Sequence, residues 1–400
     1  MRFYVFTEQP YAAAWDLPTD SLRVSLESSH CDPVLAADYY HQHIDEWQLA
    51  DELGLDIFVN EHHSTATCIT ASCSVTLAIL ARVTKNARLL ALGMPIAHRA
   101  DLVRTAEEFA MIDVISRGRL DMGLVKGVPY EIVPSNTNPA HLAARFWEAH
   151  DFIIKALSTT DGPFSWEGRF YDYRNVNIWP RPWQQPLPPV WISANSLSSI
   201  APIASRGHVL GTVMSGYGAK TLFEEYRRAW FAEGRSGPFP MDRLCYTAFV
   251  AVGRSEREGF ARGHEVGSYL RTSGIVREPF NDPPGYAPAP LLARMVAQRG
   301  LGGGPPPLLS KAGRPLGSYG SASVQDLIDG GLMFAGTPDQ VFDQFVDFYE
   351  TVGGFGRLNI VTHAGSMGYN DVAENLRLFA QEVAPRINAY VERSPERLVA

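Results

Sequence analysis

Residues 102–127, LVRTAEEFAMIDVISRGRLDMGLVKG, contain the change from helix to strand that decides the fold. The first half places its apolar side chains at helical spacing and its charged ones elsewhere on the wheel, which predicts an amphipathic helix. Residues 116–119 have the composition of a turn, and residues 120–125 form a short apolar run typical of a buried strand. The strand ends at Lys126. In parallel α/β proteins, ligands bind at this carboxyl edge of the strands.

The alternation of strand and helix recurs along the 400 residues. Helices are predicted at residues 38–53, 72–83 and 140–157, and a hairpin at residues 164–173. Eight runs are predicted to be strands: residues 2–6, 56–59, 88–92, 120–125, 190–192, 208–213, 245–252 and 357–361. Eight units over this length favour a closed (β/α)8 barrel that occupies residues 1–400 as a single α/β domain. An open doubly wound sheet is the alternative.

Residues 274–320 interrupt this rhythm with a high content of proline and glycine. Their composition predicts an irregular insertion before the last strand. A long irregular excursion in a compact enzyme is usually a lid or disordered, so we consider the insertion a possible active-site lid.

Composition and charge restrict the class of partner. The chain has 35 basic and 43 acidic residues, a formal charge of −8 and no basic stripe, which argues against nucleic acid and anionic membrane. The amino terminus lacks a signal-peptide pattern, and no apolar run reaches membrane-spanning length. The four cysteines show neither C-x-x-C nor zinc spacing, so we expect free thiols in a reducing cytoplasm.

The tetrapeptide Asn60-Glu61-His62-His63 follows the second predicted strand. Imidazole titrates near neutrality, so His62 is a candidate acid–base residue with Glu61 beside it. A hydrogen-bonded strand terminus is the simpler interpretation. Metal binding is less favoured, because neighbouring residues of a strand point to opposite faces and no second ligand cluster is visible. We therefore predict no metal site.

Two later strand ends have the features of an anion site. Lys126 follows one strand, and Ser196, Ser198 and Ser199 lie between the next strand and its helix. Hydroxyls and free N–H groups at a helix start, together with a lysine, suit a phosphate group. A solvated lysine and simple helix caps are the alternatives. Gly93 ends a third strand, where a glycine lets a flat ring approach the backbone or simply makes a turn.

Four segments together resemble the bacterial luciferase-like flavin-dependent monooxygenases. They are ADELGLDIFVNEHH, LVRTAEEFAMIDVISRGRLDMGLVKG, WPRPWQQPLPPVWISANSLSSIAPIASRG and FAGTPDQVFDQFVDFY, which occur in order across the chain. The resemblance implies a (β/α)8 barrel, FMN at the carboxyl ends of the strands, and a homodimer. It also implies that FMNH2 arrives from a separate NAD(P)H-dependent reductase.

The resemblance also assigns residues. His62 corresponds to the active-site histidine, and Lys126 lies where relatives often have an arginine for the flavin phosphate. A non-proline cis peptide is implied at Gly93-Met94, against the isoalloxazine ring. The full set of implied flavin contacts is Gly93, Met94, Lys126, Val128, Arg145, Ser196 and Ser199.

The activity implied is FMNH2- and O2-dependent monooxygenation through a C4a-(hydro)peroxyflavin. The candidate pocket suggests a hydrophobic or aromatic substrate that undergoes Baeyer–Villiger oxidation or hydroxylation, and its residues are Tyr11, Cys68, Ile69, Trp191 and Met214. Two alternatives remain open: a flavin- or deazaflavin-dependent dehydrogenase on the same fold, and a flavin-binding protein without catalysis.

Overall fold

The computed structural model describes residues 1–17, 26–273, 285, 286, 289, 293 and 308–393. The strands are β1 (Arg2–Thr7), β2 (Asp56–Val59), β3 (Leu89–Pro95), β4 (Leu120–Val125), β5 (Phe164–Glu167), β6 (Asp172–Val176), β7 (Val190–Ser193), β8 (Val209–Val213), β9 (Leu244–Val252), β10 (Met333–Gly336) and β11 (Arg357–His363). The helices are α1 (Pro33–Glu52), α2 (Cys73–Val83), α3 (Leu102–Ser116), α4 (Leu142–Ser158), α5 (Leu197–Ser205), α6 (Ala219–Ala232), α7 (Glu256–Val266), α8 (Ser268–Ser273), α9 (Val324–Asp329), α10 (Pro338–Thr351), α11 (Tyr369–Leu378) and α12 (Ala384–Glu392).

Eight parallel strands close into a barrel. The order around the ring is β1-β2-β3-β4-β7-β8-β9-β11, and β11 pairs with β1 to complete it. The predicted (β/α)8 barrel is therefore confirmed, and the open sheet is excluded. Because all eight strands run in one direction, their carboxyl ends meet at one rim. The antiparallel hairpin of β5 and β6 lies outside the ring.

The barrel strands are buried because helices cover their outer faces and side chains fill their interior. Every residue of β2, β3, β9 and β11 is buried, as expected for near-continuous apolar runs in a parallel sheet. The transition from α3 to β4 has the boundaries expected from the sequence. Arg117 ends α3 in the left-handed conformation, with φ of 57°, and β4 begins three residues later.

The structure also differs from the sequence-based expectations. A further parallel strand, β10, pairs with the carboxyl half of β9 and was missed, because four residues that include a glycine give little periodic signal. Helix α1 begins at Pro33 instead of residue 38, with Asp32 as its N-cap. Most of the predicted insertion, residues 274–307, lies outside the described residues, apart from four isolated positions.

The amino end of the barrel is held by a buried ionic cluster. The Asp121 carboxylate accepts hydrogen bonds from Arg88 at 2.6 and 2.9 Å and from the Tyr4 hydroxyl at 2.9 Å. Arg357 donates to the Tyr4 hydroxyl at 3.1 Å and lies 4.7 Å from the ring centre of Trp191. A network at this end of the barrel serves stability, whereas ligands bind at the opposite rim.

Two further sequence-based expectations concern cysteines and membrane spans. Cys31, Cys68, Cys73 and Cys245 are all free thiols, as predicted, and Cys31 alone among them is exposed. Within the described residues, no helix is both long enough and apolar enough to cross a membrane.

Candidate functional site

His62 lies just beyond the carboxyl end of β2, with its ring held between two acidic residues. Its Nδ1 is 2.9 Å from Oε1 of Glu131 and 3.1 Å from the Tyr130 hydroxyl. Its Nε2 lies 3.9 Å from Oε1 of Glu8, which is too far for a hydrogen bond. Burial would raise the pKa of the Glu131 carboxyl, but His62 and His63 lower it overall. The ionised carboxylate therefore fixes the proton of a neutral imidazole on Nδ1 and leaves Nε2 as the proton acceptor.

Glu61 has a different environment from His62, although the two are adjacent. Its side chain is fully buried, and both carboxylate oxygens contact Nη2 of Arg99, at 2.6 and 2.8 Å. It also accepts the backbone N–H of Cys73 at the start of α2, at 2.8 Å. The His63 ring lies 3.0 Å from Glu61, and this hydrogen bond raises the pKa of His63. These contacts give Glu61 a structural environment, and they do not support its predicted catalytic role.

Side chains at the ends of β1 and β2 tie the two strands together. The Asn60 amide accepts from Gln9 at 3.0 Å and donates to Glu8 at 3.4 Å. Gln9, Ser64 and Met214 have positive φ values of 54°, 56° and 52° after β1, β2 and β8. Left-handed backbone at residues other than glycine is strained, and such strain often accumulates at functional sites.

Lys126 is half-buried at the carboxyl end of β4. Its Nζ lies 4.2 Å from the ring centre of Tyr286, whose hydroxyl donates to the Gly127 carbonyl at 3.2 Å. Burial lowers the pKa of Lys126, and within the described residues no carboxylate forms an ion pair with it. Gly127 has φ of +95°, and a Cβ there would lie 2.0 Å from Nε2 of His98. Within the described part of the chain, this rim thus holds a partly desolvated cation without an acidic partner.

Ser196 precedes α5, and Ser198 and Ser199 lie in the first turn of this nine-residue helix. The Oγ atoms of Ser196 and Ser199 are 2.7 Å apart, and Ser198 lies 3.4 Å from Ser196. Ser196 occupies the N-cap position, but its side chain accepts no hydrogen bond from the helix backbone. Simple capping therefore does not explain Ser196. Asn195 fixes this loop to the end of β8, since its amide accepts from the backbone N–H of Val213 at 3.2 Å.

Gly93 and Met94, two other predicted flavin contacts, are tightly packed within the fold. A Cβ on Gly93 would lie 2.1 Å from a methyl carbon of Val125, so close packing of β3 on β4 already requires glycine there. Met94 is fully buried. Among the described residues, the two cis peptide bonds both precede proline, and the Gly93-Met94 peptide is trans. The cis bond implied at this position is therefore wrong.

Arg145 and Val128 complete the predicted flavin set. The Arg145 guanidinium donates to the Ala97 carbonyl at 3.1 Å and to the Tyr171 hydroxyl at 2.9 Å, which fixes it beside the loop after β3. Val128 is half-buried two residues beyond Lys126 and begins the turn that carries Glu131. Of these two residues, only Val128 is close in sequence to Lys126 of the candidate phosphate site.

The five predicted pocket residues are only partly brought together. Tyr11 and Ile69 belong to one small apolar cluster at the ends of β1 and β2, where the Ile69 N–H donates to the Gln9 carbonyl at 2.8 Å. Cys68 is buried in the same loop, with Sγ 3.6 Å from Asn60. Met214 is half-buried at the end of β8.

Trp191 does not belong to this rim, which corrects the sequence-based assignment. It is fully buried inside the barrel, edge-on to Tyr4 at 5.2 Å and beside Arg357. Both neighbours belong to the ionic cluster at the amino end. The error arose because a continuously buried strand has no sequence pattern that separates residues inside the barrel from residues at the carboxyl-end rim.

Sequence reasoning also missed three residues around His62, namely Glu8, Tyr130 and Glu131, and Arg99 beside Glu61. Glu131 is 69 residues from His62, so only the fold brings them together. A usable signal was present nevertheless. Glu8 and Glu131 each follow the carboxyl end of a predicted strand, the same criterion that identified Lys126.

Comparison with known proteins places the chain in a family. The model of the luciferase-like monooxygenase family matches residues 22–354. The oxygenase component of the flavin-dependent trigonelline monooxygenase of Acinetobacter baylyi is 32% identical over 165 residues, which cover 40% of this chain and 44% of that protein. The matches to the first three curated relatives span 44–64% of those proteins.

Solved structures share the whole fold. The oxygenating constituent of 3,6-diketocamphane monooxygenase from Pseudomonas putida, a type II Baeyer–Villiger enzyme in complex with FMN, has a TM-score of 0.70 at 19% identity, over 96% of this chain and 98% of that one. The coenzyme F420-dependent tetrahydromethanopterin reductase from Methanopyrus kandleri has a TM-score of 0.61 at 14% identity, over the same fractions of the two chains. The architecture and the family match agree, and this chain belongs to the luciferase-like monooxygenase family.

Proposed function

We propose that the chain is the oxygenase component of a two-component monooxygenase that uses reduced FMN and O2 to oxidise a hydrophobic or aromatic organic substrate. The observation that carries the proposal is the convergence of two sites on one rim. His62, oriented by Glu131, follows β2, whereas Lys126 and the serines follow the neighbouring strands β4 and β7. One site suits a proton transfer and the other suits a phosphate group.

The phosphate of FMN fits the residues present. Lys126 supplies a positive charge from the end of β4, and Ser196 and Ser199 supply hydroxyls at the start of α5. Backbone N–H groups at a helix start lack intrahelical partners, and the helix dipole favours an anion there. Because Ser196 does not cap the helix, its hydroxyl is available to a ligand.

When bound, reduced FMN supplies the activation of O2, which no amino-acid side chain performs. The chain contributes a proton site at Nε2 of His62, whose ring orientation is set at Nδ1 by Glu131, 2.9 Å away. The partly exposed Ile69 and Met214 give the rim apolar surface for an organic substrate. Tyr286, a described residue of the predicted lid, has its ring centre 4.2 Å from Nζ of Lys126, and this contact supports the proposal that the insertion acts as a lid that excludes water.

One relative supports the proposal of a separate reductase. Because the Acinetobacter relative is named an oxygenase component, we propose a separate NAD(P)H-dependent flavin reductase as the source of reduced FMN. We also propose a homodimer. The oxidation that we propose is a Baeyer–Villiger insertion or a hydroxylation. Both reactions are compatible with the proton site at His62 and the apolar surface formed by Ile69 and Met214.

The test begins with reduced FMN and O2 alone. Stopped-flow absorbance should show a slow phase of flavin reoxidation that appears only with the chain. A panel of aromatic compounds and cyclic ketones is then supplied under oxygen-18 gas, and mass spectrometry should find one labelled oxygen atom in a product. Reoxidation identical to that of free FMN, with no labelled product, would contradict the proposal.

The phosphate site makes a separate prediction. Lys126→Met should weaken FMN binding by about 10- to 150-fold, the equivalent of a charge-assisted hydrogen bond of about 1.5–3 kcal/mol. The affinity for riboflavin, which lacks the phosphate, should not change. Both affinities can be measured by flavin fluorescence.

The matched control is Lys155→Met, since Lys155 is an exposed lysine in the last turn of α4. It should alter neither affinity. An equal loss for FMN and riboflavin in Lys126→Met would indicate a damaged rim, and unchanged FMN binding would remove Lys126 from the phosphate site.

A hydride-transferring dehydrogenase is the second candidate, because the barrel is shared with the F420-dependent reductase of Methanopyrus kandleri. Anaerobic turnover with reduced deazaflavin would favour this activity. Strict dependence on O2 would exclude it.

A further inference from the structure

Two histidines and a glutamate form a buried cluster beneath the rim. His43 and Glu46 lie on α1, and His363 is the last residue of β11. Their side chains are at most 2% exposed. One ligand atom from each residue lies within 4.8 Å of the other two. These three residues, which we call the His–Glu–His cluster, are separate from His62 and from the candidate phosphate site.

Hydrogen bonds satisfy only part of the cluster. Nδ1 of His363 lies 2.8 Å from Oε2 of Glu46. His43 lies 3.9 Å from the same oxygen, and neither of its ring nitrogens has a hydrogen-bond partner among the described residues. A buried polar group without a partner costs roughly 1–3 kcal/mol, so this arrangement calls for an explanation.

We propose that the His–Glu–His cluster is a binding site for one divalent transition-metal ion of the zinc class. Two imidazole nitrogens and one carboxylate oxygen are a ligand set that proteins use for zinc. The i,i+3 spacing of His43 and Glu46 places both on one face of α1, and the end of β11 brings His363 opposite them. The ion would occupy the position toward which the unpartnered His43 ring faces.

The distances suit this ion after small side-chain adjustments. Metal–ligand bonds of about 2.0–2.2 Å in tetrahedral geometry place ligand atoms roughly 3.4 Å apart. The two separations from Oε2 of Glu46, 2.8 and 3.9 Å, lie on either side of that value.

The surroundings of Glu46 also match a metal ligand. Its second oxygen, Oε1, accepts a hydrogen bond from the Gln42 amide at 2.9 Å. Oε2 therefore remains directed at both histidines. A hydrogen bond to the other oxygen of a ligating carboxylate orients the ligand and is worth about 10- to 100-fold in metal affinity.

The location gives the ion a structural role. His363 also accepts the backbone N–H of Glu8 through its carbonyl, at 3.2 Å, and Glu8 faces His62. A metal bound here would fasten α1 to the ends of β1 and β11 directly below the active-site rim. Since it binds only the folded chain, it should raise the thermal midpoint of unfolding.

The experiment uses the full-length chain without an affinity tag, after treatment with a chelator. Co²⁺ is titrated in because its visible absorption reports the coordination geometry. We expect saturation at one equivalent, a tetrahedral or five-coordinate spectrum without a thiolate charge-transfer band, and displacement by Zn²⁺. Elemental analysis of the chain as purified should find about one metal ion per chain.

Substitutions connect the signal to the cluster. His43→Ala and the isosteric Glu46→Gln should each raise the Co²⁺ dissociation constant by about 100-fold or more. His41→Ala, which removes an exposed histidine of the same helix, should leave it unchanged. If His43→Ala does not fold, Glu46→Gln decides. Absence of saturable Co²⁺ binding by the unmodified chain, or full affinity in either variant, would overturn the proposal.

Discussion

Replacing His62 with alanine is expected to lower the turnover number of the proposed monooxygenase by about 10²- to 10⁴-fold, the usual contribution of a positioned acid–base group. The ring is oriented at Nδ1 by Glu131 at 2.9 Å, so its loss removes the proton site at Nε2. FMN affinity should persist, because the proposed phosphate contacts follow β4 and β7 rather than β2. The measurement is labelled product per chain at saturating reduced FMN.

Glu131→Gln separates the orientation of His62 from the proton transfer itself. An amide can donate to Nδ1 as well as accept from it, so the tautomer of the ring is no longer fixed. We expect a smaller loss of turnover than in His62→Ala, because the imidazole remains in place and only its orientation is no longer fixed. Unchanged turnover in His62→Ala would exclude the residue from the reaction.

The barrel was accessible to sequence reasoning because its signals are local. The helical spacing of α3, the turn at residues 116–119 and the apolar run of β4 all lie within 25 consecutive residues. The same holds for Lys126 and His62, which follow apolar strands directly. A residue at the carboxyl end of a parallel strand must lie on the rim, whatever the rest of the chain does.

What sequence reasoning missed depends on distances between residues that are remote along the chain. His363 lies 317 residues from Glu46, so the His–Glu–His cluster has no local pattern. Trp191 was assigned to the rim although it lies inside the barrel, because a buried strand gives no periodic signal that marks which of its residues lie at the mouth. Close packing against Val125 is enough to explain a glycine at position 93. A sequence pattern cannot distinguish this packing from contact with a ligand.

Glu61 is the clearest case of a residue whose surroundings in the fold favour a structural role over the predicted catalytic one. The sequence places it next to His62 as a catalytic partner. In the fold its carboxylate is fully buried and forms the ion pair with Arg99, whose side chain is 29% exposed. It also holds the start of α2 through Cys73. One side chain therefore joins the loop after β2, the loop after β3 and a helix.

Substituting Glu61 with alanine should consequently affect stability more than chemistry. Breaking a buried ion pair by removing one partner typically costs about 3–5 kcal/mol, because the other charge stays without compensation. We expect the free energy of unfolding, measured by urea denaturation, to fall by about that amount. In Glu61→Ala/Arg99→Ala, part of the loss should be recovered, since the unpaired guanidinium is also removed.

An exposed pair provides the matched control. Glu224 lies 4.0 Å from Lys220 on α6, and both side chains are more than half exposed, so Glu224→Ala should cost about 0–1 kcal/mol. If Glu61→Ala proved as mild as this control and still abolished turnover, Glu61 would be a catalytic residue after all. A large loss of stability with residual turnover in the folded fraction would instead identify it as the residue that holds the His62 loop in place.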